Sequence, residues 1–145
     1  MSKRAAIVGI GQTKCGYSIG GFNHKELLYL ATKQALDDAG VRREEISSAF
    51  TTSLDFTEGR SLSNQYSLDS IGGVMKPCDL RLGEDGIYGI FAGYMEVVNK
   101  PAQIVVVASV QKASDRRHDA APAIILSTLE PIYVRQGCAN SPAMG

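Results

Sequence analysis

The stretch RLGEDGIYGIFAGYMEVV, residues 81–98, constrains the fold of this chain more than any other. A short apolar approach runs into Gly83-Glu84-Asp85-Gly86. From there Ile87, Ile90, Phe91, Tyr94, Val97 and Val98 return at three- and four-residue spacing. That spacing marks one face of an α-helix. The stretch reads as strand, tight turn and amphipathic helix, ended by Asn99-Lys100-Pro101. A helix N-terminus offers free N–H groups and partial positive charge to whatever occupies the bend. Here the occupants are two carboxylates. Glu84 and Asp85 suit capping and compensation of the helix dipole, each contributing about 0.5–1 kcal/mol. Either becomes a candidate general base only if desolvation raises its pKa.

The rest of the chain alternates in the same way. Lys3 to Ile10 holds the apolar run Ala5-Ala6-Ile7-Val8, closed by Gly9 and Gly11, and reads as a buried strand. After a glycine-rich loop, Asn23 is placed to cap a helix, with Glu26 in the capping-box position. Leu27, Leu28, Ala31, Ala35, Leu36 and Ala39 form that helix's apolar face, and Gly40 stops it. Ile46 to Thr52 is a weaker strand. Leu54 to Ser70 is polar and irregular, with a short helix near Leu62 to Leu68. Pro77 to Leu82 leads into the bend, and Ile104 to Val110 is the clearest buried strand. Ala121 to Leu129 reads as a further short helix entered through Pro122. Strands alternating with helices over short connections predict an α/β layer with parallel strands. Nothing divides residues 1–145 into more than one domain. The segment from Tyr133 to Gly145 has little periodicity and reads as a connection rather than a closing element.

Composition narrows the function classes. Lys+Arg and Asp+Glu are equal at 15 each, with no basic run, which argues against a nucleic-acid partner. No apolar run is long enough for a bilayer, and Gly9 and Gly11 cut the N-terminal run too short for a signal peptide. Cys15, Cys78 and Cys138 are widely spaced and form no CxxC pair. They read as reduced thiols of a cytoplasmic protein, not as a disulfide framework or zinc site. The Gly9-Ile10-Gly11 loop lacks the third glycine of a dinucleotide fingerprint, since position 14 is Lys. Its helix also begins too late to meet a pyrophosphate, so the glycines read as turning the chain at the end of a strand. His24 and His118 read as solvated surface histidines, and Arg116 and Arg117 as part of a solvated loop.

Four segments in order resemble the thiolase superfamily. They are RAAIVGIGQTKCG at the start, the helix ending in ALDDAG, the strand–turn–helix of residues 78–98, and VVVASVQKASD from Val105 to Asp115. The likeness is to the N-terminal part of sterol-carrier-type and archaeal-type thiolases and thiolase-like aldolases. EGRSLSNQYSLDSIGGVMKP also looks like a subgroup of those relatives. The resemblance implies a layered α/β half-domain with a mixed, mainly parallel sheet, incomplete at its C-terminal side. It implies a coenzyme A ester as substrate, no covalently bound cofactor, and carbon–carbon bond chemistry of the acyltransferase or lyase type. It also implies a homo- or hetero-oligomer with a thiolase-like chain, with a small zinc-ribbon/OB-fold protein as a further partner.

The family's acyl-accepting cysteine, in a Cys-Ala-Ser-Gly pattern, falls on Gly83-Glu84-Asp85-Gly86. Gly86 matches the closing glycine, and Gly83 stands where the cysteine would be. Cys78 lies five residues earlier, off the bend. The family's catalytic histidine and second cysteine belong to a half outside these residues. The site residues implied are therefore Asp85 and Glu84, with the Gly83 backbone at the nucleophile's position. Some thiolase-like proteins without this cysteine act as carbon–carbon lyases, since a retro-aldol step needs only a base and an enolate stabiliser. The competing readings are a non-catalytic structural subunit of a thiolase-like complex and, on the glycine loop alone, a nucleotide-binding α/β domain.

Overall fold

A computed structural model describes residues 4–16, 20–53, 64–83, 86–99 and 101–112. In chain order they form α1 (His24–Ala39), a 3-10 turn (Arg43–Glu45), β1 (Ser48–Ser53), α2 (Asn64–Ile71), β2 (Cys78–Gly83), α3 (Gly86–Asn99) and β3 (Val105–Ser109). The three strands make one sheet in the order β2-β1-β3, and both pairings are parallel. The fold is thus α/β. The described strands include no antiparallel member of the mixed sheet that the resemblance implied. The expected helix at Ala121 to Leu129 lies outside the described residues.

Strand alternation sorts the helices into layers. Successive side chains of a strand point to opposite faces. On one face, Ala49 joins Leu27 and Leu28 of α1, Leu68 and Ile71 of α2, and Val110 in the main apolar cluster, with Val106 and Ala108 packed against it. On the other face, Thr52 and Val107 lie under Gly89 of α3, and Val105 and Val107 lie under Gly93. The register agrees, since Ala49 pairs with Val106 and Thr52 with Ser109. The sheet is therefore sandwiched, with α1 and α2 on one side and α3 on the other. β1 sits at the centre, and all six of its residues are buried.

The helices start and stop for local reasons. The Asn23 side chain accepts from the Glu26 N–H, and the Glu26 carboxylate accepts from the Asn23 N–H at 2.7 Å, which completes the expected capping box. At the other end Gly40 takes φ +64°, where a side chain would be strained. Its N–H reaches the Asp37 carbonyl, and the Val41 N–H reaches the Leu36 carbonyl, a Schellman closure. Arg43 plays a comparable part for α2, where its guanidinium donates to the Ser70 and Asp69 carbonyls.

Three expectations need correction. The segment from Arg4 to Ile10 is not a strand, and Ile7 is 73% exposed. It forms an arm along α1 instead. The Ile10 N–H donates to Asp38 Oδ2 at 2.9 Å, and the Gln12 N–H to Gln34 Oε1 at 3.1 Å. Gly9 and Gly11 do not turn the chain. They let its backbone lie directly against the Ala31, Ala35 and Ala39 backbone, where any Cβ would collide. The side chains of α1 thus satisfy N–H groups that a sheet ladder would otherwise take. Second, β3 is only half-buried, because among the described residues it is paired on one side only. Third, α3 is helical where expected but buries a different face. Gly89, Gly93 and Glu96 are buried, while Ile87, Ile90, Phe91 and Tyr94 are exposed.

Candidate functional site

The carboxyl ends of the strands carry the bend that the sequence singles out. Gly83 closes β2 and pairs with Ser53, the last residue of β1. Gly86 opens α3 above Ser109, the last residue of β3, and an ideal Cβ at Gly86 would lie 3.7 Å from the Ser109 Oγ. Ser53, Gly83, Gly86 and Ser109 therefore share one edge, with the positive end of the α3 dipole among them. β1 leaves that edge through α2 on one face, and β2 returns to β3 through α3 on the other. In open α/β sheets, such an edge is where ligands bind.

The reactive groups are distributed as follows. Glu84 and Asp85 lie outside the described residues. Cys78 begins β2, so about 16 Å of extended strand separates it from Gly83. It is a free, half-buried thiol at the opposite edge of the sheet. Cys15 is a free, exposed thiol on the N-terminal arm, where its sulfur accepts from the Gln12 side-chain amide at 3.3 Å. His24 opens α1 and is half-buried rather than solvated. Cys138, His118, Arg116 and Arg117 lie outside the described residues. Among the described residues, the structure brings no cysteine or histidine to the bend, and no cluster of metal-ligating side chains forms. No described helix is long and apolar enough to cross a membrane.

Two features were not singled out in the sequence. Glu96, the one charged residue of α3, is only 7% exposed, and the Ser48 hydroxyl donates to its Oε1 at 3.3 Å. A lone carboxylate inside an apolar helix was the signal. The second feature is the hydroxyl content of β1, whose Ser48, Thr51, Thr52 and Ser53 are all buried. The Thr51 and Thr52 hydroxyls have no hydrogen-bond partner among the described residues, nor do Thr32 on α1 and Ser67 on α2. A buried parallel strand is usually Val- and Ile-rich. A hydroxylated central strand is a packing choice that costs stability, since an unpaired buried hydroxyl costs about 1–3 kcal/mol.

A shallow cleft of about 220 Å³ is lined by Arg43, Glu44, Gly72, Val74 and Lys76. Its cations already have partners. Arg43 is bonded to α2 carbonyls, and Lys76 Nζ donates to the Glu44 carbonyl at 3.2 Å. Arg43 closes the end of α2 and Lys76 ties to the 3-10 turn, so neither is left to hold an anion.

The arrangement defines a parallel α/β sandwich in which β2 ends and α3 begins at the carboxyl edge of the sheet. No protein-family model matches the chain, and no curated protein matches it.

Proposed function

We propose that the chain is a thiolase-like acyl-CoA protein that takes part in making or breaking a carbon–carbon bond and supplies no covalent nucleophile itself. One observation carries the reading. The β2–α3 bend stands at the carboxyl edge of a parallel sheet, and Gly83 occupies the position at which the resemblance expects the acyl-accepting cysteine. An acyl-enzyme step needs a nucleophile within reach of a base. Cys78, at the far end of β2, does not meet that need.

Two versions of the reading follow. In the catalytic version, Glu84 or Asp85 acts as the base of a lyase-type reaction, and a thiolase-like chain completes the site, with or without a zinc-ribbon/OB-fold partner. In the second version the chain is a structural subunit of such a complex.

The test is purification from the source cell under native conditions, followed by mass spectrometry and an acyl-CoA binding assay with acetyl-CoA as probe. A stoichiometric thiolase-like chain that confers acetyl-CoA binding supports the proposal. A chain that purifies alone and binds no acetyl-CoA overturns it. Gly83→Cys is expected to give residues 1–145 alone no acetyl transfer to coenzyme A, because the resemblance places the catalytic histidine outside them. Measurable transfer would overturn the view that the chemistry is shared between parts.

A further inference from the structure

Among the described residues, Met75 is the only non-glycine with a positive φ, at +63°. It stands third in the turn Gly73-Val74-Met75-Lys76, which the Lys76 N–H closes on the Gly73 carbonyl at 3.3 Å. A left-handed third residue in a turn is ordinarily glycine or asparagine, because a larger side chain crowds the following carbonyl. Methionine is a strained choice there, and the fold gives nothing back for it. Met75 is 95% exposed, and Val74 beside it is 51% exposed.

The base of the turn is pinned. The Gly73 N–H donates to the Leu68 carbonyl at 2.8 Å, and a Cβ at Gly73 would collide with the Ala49 side chain. Lys76 Nζ is tied to the Glu44 carbonyl. The thioether of Met75 is therefore held out in water, away from the core. Met95 on α3, the other described methionine, differs in both respects. It is 42% exposed, and its sulfur accepts from the Asn99 side-chain amide at 3.6 Å.

We propose that Met75 is a site of reversible oxidation by hydrogen peroxide. Oxidation of a thioether follows the access of the oxidant to its sulfur. A sulfur lone pair takes one peroxide oxygen, the O–O bond breaks, and the second oxygen leaves as water with both protons. The thioether is oxidised to the sulfoxide as the peroxide is reduced. The product turns an apolar tip into a polar one. It opens no cavity, because no part of the core rests on this side chain. The modification thus changes the surface at residues 74 and 75 and leaves the fold intact. The inference stands on this turn and does not rest on the thiolase-like reading.

The test is a time course of the full chain in dilute hydrogen peroxide. Peptide mass spectrometry counts added oxygen at each residue separately, so cysteine oxidation does not enter the comparison. Met75 is expected to gain oxygen about threefold faster than Met95, or more, in the native chain. In concentrated guanidinium the two rates are expected to converge. Methionine sulfoxide reductases A and B, one for each epimer, are expected to restore Met75 in the folded chain. The thermal midpoint of chain oxidised at Met75 alone is expected to be unchanged. Equal rates in the native chain, or faster oxidation at Met95, overturn the proposal. So does a lowered thermal midpoint, or a sulfoxide that the reductases leave in place. Met75→Gly checks the premise, since it relieves the positive φ and is expected to raise the urea midpoint. A fall would show that the chain itself holds the side chain, and would overturn the proposal as well. None of these readouts involves acetyl-CoA, so this proposal and the functional reading fail independently.

Discussion

Gly89 and Gly93 set how closely α3 approaches the sheet. A Cβ at Gly89 would lie 2.8 Å from both the Thr52 Cγ2 and the Val107 Cγ1, and one at Gly93 would lie 2.8 Å from the Val107 Cγ2. Overpacking of this kind costs about 1–3 kcal/mol and outweighs the roughly 1 kcal/mol that alanine returns through helix propensity. Gly89→Ala is therefore expected to lower the urea midpoint. Gly86→Ala, which meets only ordinary contacts with Ser109, should leave it unchanged or raise it. An opposite ranking would place the close contact elsewhere. Thr51→Val removes a buried hydroxyl with no described partner and keeps its shape, so a gain of about 1 kcal/mol is expected by thermal unfolding. A loss would reveal an ordered water on that hydroxyl. These residues also show why the buried face of α3 is not legible from periodicity. Periodicity tells which apolar side chains share a face of the helix. It does not tell whether the protein covers that face. The glycines at positions 89 and 93, with the lone Glu96, marked the other face by their smallness.

At the scale of elements, what the sequence revealed was what is chemically local. The capping box of α1 and its glycine stop depend on neighbours within a turn, so both could be read before any tertiary contact was known. Asn23→Ala is expected to cost about 1 kcal/mol of stability in chemical denaturation. The 3-10 turn has a similar device. Glu45 accepts from the Arg42 backbone N–H at 2.8 Å and from its guanidinium at 3.3 Å. These bonds, the backbone one first, hold its carboxyl below the usual glutamate range. A lowered folded-state pKa stabilises above the unfolded pKa, and that stabilisation is lost as pH falls through the folded one. A carbon-detected NMR titration should find the Glu45 midpoint below that of an unstructured glutamate. In Arg42→Ala the midpoint should return only part of the way, because the backbone N–H remains. The arm was not legible for the converse reason. Apolar Ala5 to Val8 has strand character, but a strand forms only where a ladder accepts it, and the arm is held beside α1 instead, through the Ile10 and Gln12 N–H groups on Asp38 and Gln34. β1 reads as a weak strand because its hydroxyls are polar, although its position between β2 and β3 buries every residue.

Across the whole molecule, the parallel α/β plan was legible because strand and helix periods alternate over short connections. The order β2-β1-β3 was not, because nothing in one sequence says which strand lies between the others. That order has a consequence for dynamics. β1 is bonded on both sides and covered on both faces, so its amides should exchange only with global unfolding. The arm is held by two side-chain acceptors and by the fit of Gly9 and Gly11 against α1, which makes it the natural first part to open. Gly11→Val separates the two levels, since any side chain there meets the Ala31 carbonyl. In hydrogen exchange, the Ile10 and Gln12 amides are expected to lose protection while those of Ser48–Ser53 remain the slowest in the molecule. If protection fell equally in β1, the arm would be part of the cooperative core. Its glycine contact with α1 would then support the sheet, although no residue of the arm enters it.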